Sequence, residues 1–276
     1  MLLQRFLVAL ILAPLALFVT YLGGTYYFIV ITAVLLLAAW ECTKIMQKAG
    51  YETATGVVLI GVLLFAVSSA FDRLVPTSWI ITFLLLICAG YYSLRFERAR
   101  AESIQDFGGT LIATLYIGWL GSYLLSMRSI PGGMWWLYLV FLIVWTTDTA
   151  SYFIGKRFGT HKLSPRLSPN KTWEGYFGGI LAGPLAGVGF SFLLEKLGAV
   201  VSFIPWVGGL LGLILACTIP LGDLTGSMIK RMGGVKDSSN LFPGHGGMFD
   251  RIDTLLWAIP ISYFFIQYIY PTLIKL

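Results

Sequence analysis

The chain has 276 residues, 57% of them hydrophobic and only 12% charged, with a mean hydropathy of +0.81. Such an excess of apolar side chains excludes a soluble globular domain and leaves an all-α, polytopic membrane protein. Lys and Arg number 19 against 13 Asp and Glu, a net charge of +6, whose meaning depends on which side of the membrane the basic residues occupy.

A helix crosses the hydrocarbon with about 20 apolar residues, which in chain order predicts nine spans near 6–22, 26–42, 55–71, 77–94, 107–127, 134–153, 176–194, 203–221 and 254–273. The first follows Arg5 as a signal peptide would, but no small-residue cleavage site closes it and a second span follows at once, so it is expected to remain as an anchor. Nine spans place 15 of the 19 basic residues on one side; only Arg73, Arg128, Lys196 and Lys275 fall on the other. Since Lys and Arg are retained on the cytoplasmic side, the N-terminus and both long polar loops are expected in the cytoplasm and the C-terminus outside the cell (inner) membrane. A one-sided positive surface suits anionic lipid headgroups and a polyanionic nucleotide, although for Arg95, Arg98 and Arg100 orientation alone is sufficient reason. No nucleic-acid-binding module is recognisable, so nucleic acid is not an expected partner.

Spans one to five, within 1–133, have short or weakly patterned loops. Spans six to nine, within 134–276, enclose two loops dense in Gly, Pro, Ser, Lys and Asp, and the catalytic half is placed there. Cys42, Cys88 and Cys217 lie in or beside apolar segments without paired spacing, predicting buried thiols with neither disulfide nor zinc.

Asp148 stands inside the sixth span, where an ionisable group costs about 2.5 to 3.5 kcal/mol unless it meets a partner or polar cavity. It is a candidate substrate contact, with a hydrogen-bond anchor between helices as the alternative. The following loop carries Lys156, Arg157, Lys162, Arg166 and Lys171, and its segment Ser168-Pro169-Asn170-Lys171-Thr172-Trp173-Glu174 reads as a turn, capped by Ser or Asn, leading into span seven. A helix start with a nearby lysine is a seat for phosphate. For each single cation, substrate contact and simple solvation both stay open.

The second loop has an arguable geometry. Asp223 closes span eight and Asp250 opens span nine, and these sequence neighbours run antiparallel, so both carboxylates are expected at one cytoplasmic depth, able to share a metal. If span eight continues as helix past Pro220, Asp223, Ser227, Lys230 and Arg231 recur along one broad face. Asp250 and Asp253 sit three apart on the opening turn of span nine. Carboxylate oxygens without nearby thiols point to magnesium, completed by water and substrate phosphate. Between the aspartates, Gly233, Gly234, Gly244, Gly246 and Gly247 allow backbone N–H groups to approach an anion, while Lys236, His245 and Arg251 add charge.

The whole segment Ser227 to Asp253, SMIKRMGGVKDSSNLFPGHGGMFDRID, resembles the signature of the phosphatidate cytidylyltransferases, or CDP-diacylglycerol synthases: a Ser, then Lys-Arg, Lys-Asp, Pro-x-His-Gly-Gly and a closing Asp-Arg-x-Asp. Gly222-Asp223-Leu224 and SPNKTWEG match as well. Ser239 stands where that family often has Gly or Ala, and Asn170 where it often has a second Lys. The resemblance implies transfer of CMP from CTP to phosphatidic acid with magnesium required, and it favours a homodimer. On this reading Asp223 and Asp250 hold the metal; Lys171, Lys230, Arg231, Lys236 and Arg251 offset phosphate charge; and Ser227, Gly246, Gly247 and Asp253 complete the substrate site. His245 either donates to a phosphate oxygen or holds the Gly-rich turn; Asp237 is assigned to the outer shell of the metal. A CTP-dependent lipid or polyprenol kinase needs the same metal and cations but attacks the γ-phosphorus. An anion transporter would gather its polar residues at mid-membrane, and a lipid-binding scaffold has no need of two framing aspartates.

Overall fold

The computed structural model describes residues 2–71, 75–99, 103–242 and 246–273. Among these residues seven helical stretches are long and apolar enough to cross a membrane: Gly24–Lys48, Thr77–Arg98, Ile104–Ser129, Gly133–Phe158, Trp173–Lys196, Pro205–Met232 and Phe249–Leu273. The chain is an all-helical, polytopic membrane protein. The other two expected spans correspond to shorter apolar helices, Leu10–Leu22 and Thr55–Ala70. The second of these, 16 residues long, reaches about 24 Å against a hydrocarbon thickness of about 30 Å.

In chain order the helices are α1 (Leu2–Leu22), α2 (Gly24–Lys48), α3 (Thr55–Ala70), α4 (Thr77–Ala99), α5 (Ser103–Ala113), α6 (Leu120–Ser129), α7 (Gly133–Phe158), α8 (Trp173–Lys196), α9 (Pro205–Met232), α10 (Phe249–Ile252), α11 (Leu255–Phe264) and α12 (Tyr270–Leu273). One π-helical turn, Thr114–Trp119, joins α5 to α6 and another, Phe265–Ile269, joins α11 to α12. Packing separates two compact units, Met1–Ser126 with Met228–Ile252, and Met127–Ser227 with Asp253–Leu276. This division follows the proximity of backbone segments, whereas the boundary expected at 134 concerned where the chemistry lies.

In the first unit α2 presents Leu35, Ala38, Ala39 and Cys42, all fully buried, to its neighbours. The turn between α2 and α3 is fixed by polar groups. Buried Asp106 accepts the Glu52 amide at 2.7 Å, and the Tyr92 hydroxyl donates to the Glu52 carbonyl at 3.0 Å. Arg95 closes the same turn by pairing with Glu52, so this cation has a structural task besides orientation.

In the second unit α8 packs along α7 and against α9. A Cβ at Gly183 or Gly187 would collide with the carbonyl of Gly212 or Gly208, so the absent side chains set the helix separation. The loop expected as an open turn is instead an antiparallel hairpin, β1 (Lys162–Ser164) with β2 (Ser168–Thr172). Neither Ser nor Asn caps α8. Thr172, in extended conformation at φ −128° and ψ 154°, accepts the Gly175 amide at 3.2 Å. Extended β2 geometry at the last strand residue is the backbone an N-cap requires, which places Thr172 in that role.

Two further details refine the expectation. Helix α9 does continue through Pro220, ending at Met232 rather than near 221. Asp250 and Asp253 do not share one helical turn: α10 is a single turn that includes Asp250, and Asp253 lies in the bend before α11. Cys42 and Cys88 are buried and Cys217 is half-buried.

Candidate active site

The second unit brings three of the expected residues together. Lys171, at the end of β2, donates to Asp223 Oδ2 of α9 at 2.5 Å. Both remain open to solvent, with side chains 25% and 38% exposed. Asp148, whose side chain is exposed on α7, interacts electrostatically with both. One turn beyond Asp223 in α9, Ser227 Oγ donates to Asp223 Oδ1 at 3.4 Å. Asp253 is 7% exposed; its Oδ1 accepts the Thr254 amide at 2.7 Å, and its side chain fills the space left by Gly226. It braces the bend that starts α11.

The first unit holds the other cluster, and the chain stop that creates it is written locally. After Met232 the chain takes Gly234 at φ +66°, with Gly234 N–H bonded to the Arg231 carbonyl at 3.1 Å and Val235 N–H to that of Lys230 at 3.0 Å. This is a Schellman stop, for which glycine has no steric cost. It leaves Lys230 in the last turn of α9, where it donates to Asp250 Oδ1 at 2.5 Å. Their side chains are 11% and 6% exposed, so this pair is buried where Lys171–Asp223 is open.

The other oxygen of Asp250 is saturated. Oδ2 accepts Ser238 N–H at 2.7 Å, Ser238 Oγ at 2.8 Å and Gly247 N–H at 3.0 Å. Gly246, at φ +74°, carries the chain so close that a Cβ there would strike Asp250. The loop thus wraps a carboxylate of the chain itself with groups expected to face phosphate. Arg231, Lys236, Asp237 and Arg251 lie exposed around it, and the Arg231 guanidinium also reaches the Val235 carbonyl at 3.5 Å. His245 and Gly244 lie outside the described residues.

A family model described as the cytidylyltransferase family matches residues 3–269. The chain belongs to that family. It is 36% identical to the phosphatidate cytidylyltransferase of Pseudomonas aeruginosa, the match covering 95% of each chain. It is 32% identical to the protein of that name from Bacillus subtilis, over 95% of this chain and 96% of the other. The Synechocystis phosphatidate cytidylyltransferase is 31% identical over 98% of both.

For a cytidylyltransferase, the donor chemistry of these clusters suits a hard cation bound through carboxylate, water and phosphate oxygens. Among the described residues no group of three or more metal-ligating side chains is found. Asp223 fits such an ion well, being exposed and with Oδ1 engaged, among the described residues, only by the long Ser227 contact. Asp250 can offer Oδ1, beside Lys230, because its other oxygen already has three donors.

One residue of the site was missed by motif reading. Glu41 of α2 is 1% exposed and its carboxylate accepts from Ser238 Oγ at 2.9 Å, Ser239 Oγ at 2.6 Å, Met248 N–H at 3.1 Å and Phe249 N–H at 2.9 Å. The signal was present, a lone acid within the apolar run LLLAAWECTKIM, of the same kind that drew attention to Asp148.

Proposed function

We propose that this chain transfers CMP from CTP to phosphatidate, forming CDP-diacylglycerol and releasing pyrophosphate. The observation that supports it is the pairing of Lys171 with Asp223 and of Lys230 with Asp250, at signature positions of a cytidylyltransferase built of membrane helices. In the reaction an oxygen of the phosphatidate phosphate forms a bond to the α-phosphorus of CTP, and the bond from that phosphorus to the β-phosphate oxygen breaks. The nucleophile is already anionic, so no general base is needed. The barrier comes from bringing two polyanions together and from the charge gathering on pyrophosphate.

Lysines held by carboxylates suit that task. Asp223 and Asp250 hold Lys171 and Lys230 aimed before substrate arrives, and phosphate oxygens then take over the lysines' remaining donors. Exposed Arg231, Lys236 and Arg251 add positive potential around the loop, with Asp148, Ser227, Gly246, Gly247 and Asp253 shaping the substrate site. Magnesium is the proposed cofactor, with Asp223 and Asp250 as its ligands; when bound it neutralises phosphate charge and polarises the α-phosphorus. We place the catalytic groups in 134–276 and assign nine spans, with the polar loops cytoplasmic and the C-terminus outside.

The test is incubation of purified protein with phosphatidate and CTP labelled at either the α or the γ phosphate. Label from the α position should enter lipid, and γ-label should appear in pyrophosphate, in a reaction that needs added magnesium. Lipid carrying γ-label would establish the kinase reading instead.

A further inference from the structure

Glu41 takes no part in the chemistry described so far, yet its buried carboxylate lies within hydrogen-bonding distance of four donors. Its four donors come from two separated stretches, Ser238 and Ser239 on one side of the loop and Met248 and Phe249 on the other. Ser238 is common to both acids: its hydroxyl lies 2.9 Å from Glu41 Oε2 and 2.8 Å from Asp250 Oδ2. A Cβ at Gly247 would collide with both Glu41 oxygens and with Ser238 Oγ, so the chain closes on the carboxylate at a position only glycine fits.

We propose that Glu41 is a positioning residue for nucleotidyl transfer, a buried anion on α2 that holds Ser238 and Ser239 together with Met248 and Phe249 and thereby sets the geometry of the Lys230–Asp250 pair. The proposal rests on the cytidylyltransferase reading above and deepens it. A carboxylate is required because donors converge on both oxygens, Ser239 Oγ and Met248 N–H on Oε1 and Phe249 N–H on Oε2, with the single Ser238 proton shared between Oε2 and Asp250; an amide offers one oxygen and replaces the other by a group that is itself a donor. Losing the clamp leaves Ser238-Ser239 and Met248-Phe249 in this closed arrangement for only a fraction of the time. A ligand that needs the closed form then binds more weakly by that fraction, so a loop closed about one-tenth of the time raises the apparent constant about tenfold.

The experiment uses full-length protein in detergent micelles with phosphatidate, comparing wild type with Glu41→Gln. The expected result is a KM for CTP raised about tenfold, a KM for phosphatidate within about twofold of wild type, and kcat at saturating CTP largely retained. A fall in kcat from partial misfolding would leave KM for CTP unchanged, and that result in folded protein overturns the proposal. The second readout is independent of activity. With the three native thiols replaced, Asn240→Cys, an exposed position beside Ser239, should react with a water-soluble maleimide at least about threefold faster when Glu41 is Gln, as the closed fraction falls. An unchanged rate overturns the clamp. Should Glu41→Gln not fold, Ser239→Ala removes one donor from Glu41 Oε1 and should move both readouts in the same direction, by severalfold; wild-type values there count against Glu41 equally. A wild-type protein that fails to place α-label in lipid defeats the reaction assignment, and the labelling rates still decide on Glu41.

Discussion

At the scale of the residue, burial separates two ion pairs of identical composition. Lys230 and Asp250 are almost fully enclosed, so removing the lysine strands a carboxylate. Lys230→Met should cost about 3 kcal/mol of stability, the low end for breaking a buried pair, because Asp250 Oδ2 keeps its three other donors. Lys171→Met breaks an exposed pair and should cost under about 1 kcal/mol. Activity should divide differently: both variants are expected to lose on the order of 100-fold in kcat/KM, about 2.7 kcal/mol of transition-state stabilisation. Melting temperatures in one detergent, set beside initial rates, separate the two effects. Wild-type turnover by folded Lys171→Met would remove that residue from the mechanism. For the carboxylates, Asp223→Asn and Asp250→Asn should each abolish most turnover, and the double variant should add little if they serve one magnesium ion; multiplied defects in rates across magnesium concentrations would mean independent roles. Asp237→Asn, at an exposed position, should leave more activity than either.

Helices and turns carry their own consequences. Gly187→Ala and Gly208→Ala each drive a methyl group into the facing backbone and should destabilise by about 1 to 3 kcal/mol. Gly189→Ala, on the same helix but facing open space, meets nothing and should be neutral or gain up to about 1 kcal/mol from helix propensity. If thermal unfolding ranked the three alike, close approach would not explain these glycines. Thr172→Ala should cost about 1 kcal/mol for the lost cap. It should also loosen β2, which bears Lys171.

At the scale of the whole molecule, charge asymmetry makes a prediction about sidedness. With native thiols replaced, single cysteines in place of Lys162 and Lys236 should react with an impermeant reagent from the same face of sealed vesicles, and one attached after Leu276 from the opposite face. Labelling of all three from one face would show that the nine-span count has the wrong parity. The homodimer implied by family resemblance is a separate matter, open to mass measurement in detergent. Gly183 and Gly187 of α8 are already occupied by α9, so they are not free to form its interface.

Apolar runs are long-range signals with no local alternative: about 20 hydrophobic residues in succession have one stable state in lipid, so the membrane class and most helix positions followed from composition. The signature acids and cations were legible for a similar reason, since charge is rare in such a chain and its clustering stands out. The end of α9 was read too early, near 221, although Gly234, whose left-handed conformation costs glycine nothing, marks it in the sequence. Partnership was not legible in this way. That Lys171 faces Asp223, that Asp250 binds Ser238 and Gly247, and that Glu41 holds the loop from about 200 residues away in sequence depend on how helices pack, and a carboxylate carries no mark of the donor it will meet. The hairpin at 162–172 escaped for the opposite reason: its strands are short and polar, with no apolar alternation to reveal them. Sequence alone thus determined the solvent this protein lives in and the chemical groups it carries; the tertiary structure decided which of those groups are buried, which are exposed, and which acid holds the loop in place.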